Sequence, residues 1–357
     1  GEEVLEINVT PDRGYCFSMR GVAREYSHST GARFTDPADA TNTGLYPNGV
    51  AGAGQGGYDV VVPEDPHPIH GRPGCDRYVA RLVRGIDPSA PSPTWMQDRL
   101  TAAGMRPISL AVDVTNYVML DLGQPLHAFD AGKLTAPIVV RRAQESERLT
   151  FLDEVTRTLD PEDLVISDSP DGEGSRALVL AGVFGGALSE VDADTRDVLI
   201  EAAHFDPVSV ARSSRRHKLP TESSKRNERG VDTELAPIAA QRAVDLLVAQ
   251  ALHLRRDPHV LRAREVAVAG RVLDHRAGAR HDLGARGRAE GPPQHADLPA
   301  RGRQESQQHL HRRRLARAIG TDECRRAPRL HLQVDDDVAI RQFEGHLQVL
   351  AASAVPR

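Results

Sequence analysis

The stretch Asp113 to Asp130, DVTNYVMLDLGQPLHAFD, is the strongest constraint on how this 357-residue chain can fold. Val114, Val118 and Leu122 recur at helical spacing. Asp113 is placed to cap the orphan N–H groups of that helix, with Thr115 and Asn116 in its first turn. Gly123 can take the left-handed conformation that ends it. Gln124–Pro125 then stops it firmly, because proline restricts the residue before it and cannot continue a helix. His127 follows two residues later. A helix N-terminus and an imidazole therefore belong to one short segment and can face one cavity.

The surrounding pattern divides the chain. Residues 1–35 open with a strand-like LEINVT, a TPDRG turn, and a helix from Ser18 with Met19, Val22, Ala23 and Tyr26 on one face, closed by Gly31. Residues 36–76 are rich in Gly and Pro around a short strand, Tyr58 to Val62, and read as a linker. Residues 77–235 read as one compact mixed α/β domain. Its expected elements are a strand from Tyr78 to Gly85 and an amphipathic helix from Pro93 to Met105 with Trp95 and Leu100 inward. Short strands are expected at Ile138–Arg142, Arg148–Leu152, Thr156–Leu159 and Leu164–Ser167. Ala177 to Phe184 and Val198 to Ala203 are apolar runs. Asp206–Pro207 starts one short helix and Thr221 caps another. Residues 236–250 open a long apolar-faced helix, expected to begin a following module.

Charge separates the two ends. Residues 1–250 carry 25 Lys+Arg against 37 Asp+Glu, while residues 251–357 carry 20 Arg, no Lys and 13 Asp+Glu. The latter segment is an irregular tail rich in Arg and His, with weak hydrophobic periodicity and no Lys, Asn, Tyr, Trp or Met. A basic tail of this kind can be disordered and meet nucleic acid through phosphates. An out-of-frame reading of a GC-rich gene gives the same composition, and that is the reading preferred here. The chain opens in apparent mid-strand without a signal-peptide pattern, and is expected to be a fragment. No run approaches a membrane span, so no membrane partner is expected. Cys16, Cys75 and Cys324 are widely spaced, which argues against zinc and disulfides and fits a reducing, cytoplasmic setting.

Four features could carry chemistry. His127 can hold a water, orient a substrate or act as a base, or it can be a hydrogen-bonded structural histidine. Glu201 sits in the apolar LIEAAHFDP, where a carboxylate is costly unless paired; it points to solvent from an edge or reads a polar group in a pocket. His204 reads as structural. AGVFGG, Ala181 to Gly186, is a tight turn or a pocket wall that something approaches closely. Arg212, Arg215, Arg216, Lys218, Lys225, Arg226 and Arg229 either grip phosphates or form a solvated face with internal ion pairs.

Taken together, five segments resemble the β subunit of bacterial phenylalanyl-tRNA synthetase (phenylalanine–tRNA ligase). They are Leu5 to Glu25, Arg106 to Asp130, Leu178 to Gly186, Leu199 to Pro207 and His217 to Asp232, in the family's order and approximate spacing. The resemblance implies an α+β fold in which residues 77–235 form a B3/B4-type editing domain, with a short mixed sheet and flanking helices. It implies hydrolysis of mischarged Tyr-tRNA-Phe, with Glu201 reading the tyrosine hydroxyl and His127 positioning the attacking water. Thr115 and Asn116 match positions around the ester and terminal adenosine, Gly182 and Gly185 the pocket wall, and Arg106 a contact to the tRNA terminus. No metal is implied in this chain; ATP and magnesium (Mg2+) serve the parent enzyme. The implied partners are tRNA-Phe and the α subunit, in a heterotetramer of two α and two β chains. Asn227 stands where the family usually has an aromatic residue, which puts the packing of that helix in question. The alternative is a module without chemistry that scaffolds the α subunit and tRNA.

Overall fold

The computed structural model describes residues 6–39, 58–255 and 268–274. The chain separates into two compact units. One comprises Gly1–Leu5, Ala23–Thr35 and Ala279–Arg357. Its described part carries most of helix α1 (Met19–Thr30), which ends at Gly31 with φ of 80°. There the Arg24 guanidinium lies 5.7 Å from the centre of the Phe34 ring. The other unit comprises Glu6–Val22 and Asp36–Gly278 and holds all the sheets.

The expected strand at LEINVT does not form over Glu6–Thr10. A strand needs a ladder partner for its backbone, and no described strand runs beside it. Ile7 is left 54% exposed, and the TPDRG turn becomes part of a 3₁₀ segment, Pro11–Cys16.

Next come β1 (Val60–Val61), β2 (Cys75–Val83), α2 (Thr94–Ala102), α3 (Leu110–Leu122), β3 (Leu126–Asp130) and β4 (Ile138–Arg142). The hairpin β5 (Arg148–Thr150) and β6 (Thr156–Thr158) precedes β7 (Leu164–Asp168), β8 (Arg176–Leu180), β9 (Phe184–Gly185) and β10 (Val198–Phe205). Helices α4 (Pro207–His217), α5 (Glu222–Asn227) and α6 (Leu235–Arg255) and strand β11 (Val268–Asp274) complete the described chain. This is a mixed α+β architecture.

The strands form a five-stranded sheet ordered β1-β4-β7-β8-β9 and a four-stranded sheet ordered β11-β2-β10-β3. Among the described strands only the β1–β4 pairing is parallel; the other ladders are antiparallel. Side chains alternate along β10 and sort its two faces. Leu199, Ala203 and Phe205 join Val140, Ile166 and Leu180 in a core between the sheets. Val198 and Ile200 join Val114, Val118, Ala239 and Leu247 in a core beneath α3 and α6. The order of layers is helices, four-stranded sheet, five-stranded sheet.

Three expectations change at this level. Helix α6 is built into the domain's core instead of opening a separate module after residue 235. Its alanines at 236, 239, 240 and 243 are fully buried, and such small side chains let a helix lie close on a sheet. The end of the expected linker is also part of the fold: Val60 and Val61 pair with Ile138 and Val139, and Asp65 bonds Arg142. In α2, Met96 and Leu100 are the buried residues, whereas Trp95 is 40% exposed, edge-on to Tyr117 and covered by Arg99. Of the tail 251–357, residues 251–255 end α6 and 268–274 form β11; the rest of that expectation lies outside the described residues.

A candidate active site between the sheets

The Asp113–Asp130 stretch builds one wall of the site, with a correction. Helix α3 starts at Ser109–Leu110, so Asp113 lies inside its first turn. Asp113 is buried, and its carboxylate accepts from the Ile108 N–H and the Ser92 hydroxyl. It therefore ties down the chain entering the helix, because a carboxylate one turn in can reach back to a preceding free N–H. Gly123 ends the helix at φ of 91°. The fully buried Gln124 amide then donates to the carbonyls of Pro125 and Ala203, which fixes the start of β3 against β10.

That junction sets a register that places His127 directly opposite Glu201, with Ala80 of β2 on Glu201's other side. Glu201 is therefore on a central strand, and its alternation with Leu199 and Ala203 turns it between the sheets. A cavity of about 240 Å³ lies there. Asn116 and Met119 of α3, His127, Glu201, Gly182, Gly185, Leu152 and Asn227 are among its walls.

The electrostatics are those of a buried carboxyl and a half-buried histidine whose Nε2 is buried. Glu201 is 5% exposed, and burial alone pushes its carboxyl up to about 8, with no cation offsetting this among the described residues. Burial pushes His127 down to about 4, and its Nε2 is buried without a partner among the described residues. His127 is therefore neutral near pH 7, and burial biases Glu201 toward its protonated form. The His127 ring stands edge-on to Phe129, with centroids 4.5 Å apart.

The glycines are required by space. A β-carbon on Gly185 would lie 2.8 Å from Leu152 Cδ1 and 2.9 Å from His127 Cε1. Gly182 has φ of 70°, and its β-carbon would lie 2.9 Å from the Phe205 ring. Two expected site residues are not brought to the cavity. Thr115 is buried, its hydroxyl bonded to the Val112 carbonyl, and Arg106 is exposed on the loop before α3. Asn227 is 2% exposed, and its amide donates to the carbonyls of Gly182 and Ser223, while its Oδ1 is buried without a partner among the described residues.

The basic region resolves largely into ion pairs. Arg212 and Arg216 meet Glu162, Lys225 and Arg226 meet Glu222, and Arg229 lies over Phe17. Expected to be structural, His204 pairs with Asp76. Sequence reading missed Leu152 as a wall of the site. The available signal was a leucine beside Asp153 at a hairpin tip, where polar turn residues are the rule. Among the described residues no group of three His, Cys, Asp or Glu is placed to hold a metal ion, and no helix is long and apolar enough to cross a membrane.

Comparison with known proteins finds similarity over this layered domain. The B3/4 domain model matches residues 74–251, from the start of β2 into α6. The chain is 60% identical over 248 residues to the phenylalanine–tRNA ligase beta subunit of Bifidobacterium longum. It is 54% identical over 246 residues to the beta subunit of Leifsonia xyli, and 54% over 252 residues to that of Streptomyces avermitilis. Each alignment covers 69% of this chain and 28% of the relative. The chain thus spans just over a quarter of the length of these relatives. The limits of the B3/4 match also agree with the packing of α6, which belongs to the domain's core.

Proposed function

We propose that this chain is part of the beta subunit of a phenylalanine–tRNA ligase, and that its B3/4 domain hydrolyses tyrosine mischarged onto tRNA-Phe. The observation that carries the reading is Glu201, a buried carboxyl on a cavity wall, in register with His127. A synthetic pocket built for phenylalanine rejects an isostere bearing one extra hydroxyl only by about 10²-fold. A second site that hydrogen-bonds the hydroxyl discriminates far better, because phenylalanine leaves its polar group desolvated and unpaired.

In this reading the tyrosine hydroxyl donates to Glu201, and Gly182 and Gly185 leave room for the ring. Neutral His127 positions a water for attack on the ester carbonyl. The carbonyl–oxygen bond to the terminal ribose breaks, releasing tyrosine and a free ribose hydroxyl. Asn116 is the α3 residue on the cavity wall for the adenosine end. Arg106, exposed before α3, would meet the tRNA terminus beyond the cavity. Charging, with its ATP and magnesium, takes place elsewhere in the parent enzyme, in the cytoplasm and together with an α subunit.

The test is deacylation of Tyr-tRNA-Phe by the full chain. His127→Ala is expected to slow it about 10²-fold. Glu201→Ala is expected to reduce the preference for tyrosyl over phenylalanyl esters by roughly 10²-fold or more. If the unmodified chain deacylates no faster than buffer, the hydrolytic reading fails and the scaffold reading stands.

A further inference from the structure

We infer that Leu152 is a gating residue of this site: its side chain covers the His127 imidazole and must move aside before Nε2 can meet water or substrate. Three observations converge on it. First, Leu152 Cδ1 and His127 Cε1 are the two atoms that crowd one face of Gly185, so leucine and imidazole flank the same glycine. Cε1 is bonded to Nε2, the nitrogen that is buried without a partner among the described residues. Second, the imidazole stands edge-on to Phe129, a fully buried core residue of β3. Leu152 is 37% exposed and is one of the cavity's walls, so it can swing outward into solvent. Third, it is held from the backbone. The Leu152 N–H donates to the Gly185 carbonyl at 3.1 Å, and Glu154 N–H to the Phe151 carbonyl at 2.9 Å. These backbone bonds hold the turn on β9 and do not involve the Leu152 side chain.

The consequence for catalysis, which rests on the hydrolytic reading above, is that the empty site keeps His127 Nε2 away from bulk water. A ligand filling the cavity between Glu201 and Gly185 would displace the leucine and uncover the nitrogen only when an ester is present.

Exposure of one imidazole can be read without any hydrolysis. The full chain is treated with diethyl pyrocarbonate, which acylates accessible neutral histidines, and each histidine is followed by peptide mass spectrometry. His127 is expected to react slowly in the unaltered chain. It should react about tenfold faster in Leu152→Ala, with Leu152→Val between, because local access governs the rate. Leu152→Met, which restores the length of the cover, should return protection. His217, buried and paired with Asp163, reports folding within the same digest. A variant in which His217 also becomes reactive has lost its fold, and the comparison then rests on the remaining members of the series. Equal rates at His127 in the unaltered chain and in a folded Leu152→Ala or Leu152→Val would overturn the inference. That outcome would leave the assignment of Glu201 and His127 untouched, just as loss of deacylation would leave the covering of His127 intact.

Discussion

At the residue scale, the site pairs two ionisable groups whose titrations oppose each other in stability. The folded Glu201 carboxyl titrates near 8, above its ordinary value of 4.5, so the folded chain binds the extra proton between those limits. Its contribution to stability therefore falls as pH rises through that window. Folded His127 titrates near 4, below 6.5, so the unfolded chain binds the extra proton there. Its contribution falls as pH drops. The two slopes cancel between about 4.5 and 6.5, leaving a decline on the alkaline side that belongs to Glu201. Urea unfolding of Glu201→Gln from pH 6 to 9 should lack that decline relative to the unaltered chain; parallel curves would remove Glu201 from the account. Gly185→Ala tests the crowding: its methyl meets Leu152 and His127 below 3 Å, so a loss of about 1–3 kcal/mol is expected from the same measurement. Both residues were visible in the sequence, Glu201 because a carboxylate interrupts an apolar run. Their adjacency was not, since it follows from a strand register that local pattern does not encode.

At the element scale, local signals located the helices and many of the strands, but not β3, which carries His127, and they blurred how elements begin and which way they face. Gly123 and Gln124–Pro125 end α3 as the sequence indicated, and Asp206 caps α4 by accepting from Ser209 N–H. The start of α3 was misread because Asp113 carries the chemistry of a cap while sitting one turn inside. A buried carboxylate serving two donors outside the helix is tertiary information. Replacing Asp206 by Ala should cost about 1 kcal/mol, as for other lost N-caps. Asp113→Ala should cost more, about 1–3 kcal/mol, since it strands a buried hydroxyl and the Ile108 N–H. Chemical denaturation that ranks the two variants the other way would show that Asp113 acts only as an ordinary first-turn acid. The Trp95 assignment failed for a related reason. Periodicity finds an apolar stripe, but Arg99 and Tyr117 give an aromatic ring a place at the surface.

At the scale of the whole molecule, the layers are joined by buried ion pairs that no periodicity reveals. Arg142 at the end of β4 is the clearest. Its guanidinium bonds Asp65, the Glu162 carbonyl and the Ser209 hydroxyl, linking the segment before β2, the turn before β7 and α4. The two charged side chains are only 4% and 7% exposed. This is why the segment read as a linker is part of the fold: its composition is loop-like, but Asp65 also accepts from the His67 and Gly74 N–H groups and cannot be pulled out without stranding a buried cation. Burial pushes the Asp65 carboxyl up, yet Arg142 and those N–H groups together hold it below the usual range. Its stabilising contribution is therefore complete above the ordinary carboxylate pKa and is lost as pH falls through the depressed one. Removing one partner leaves a desolvated charge, so Asp65→Asn should destabilise the chain by about 3–5 kcal/mol. Replacing both, Asp65→Leu with Arg142→Met, should cost less than the sum of the two single changes, because an apolar pair strands no charge. A double-mutant cycle by urea unfolding decides it. Strict additivity would mean that Asp65 and Arg142 act independently and that the residue 58–76 segment is held by its β1 pairing alone.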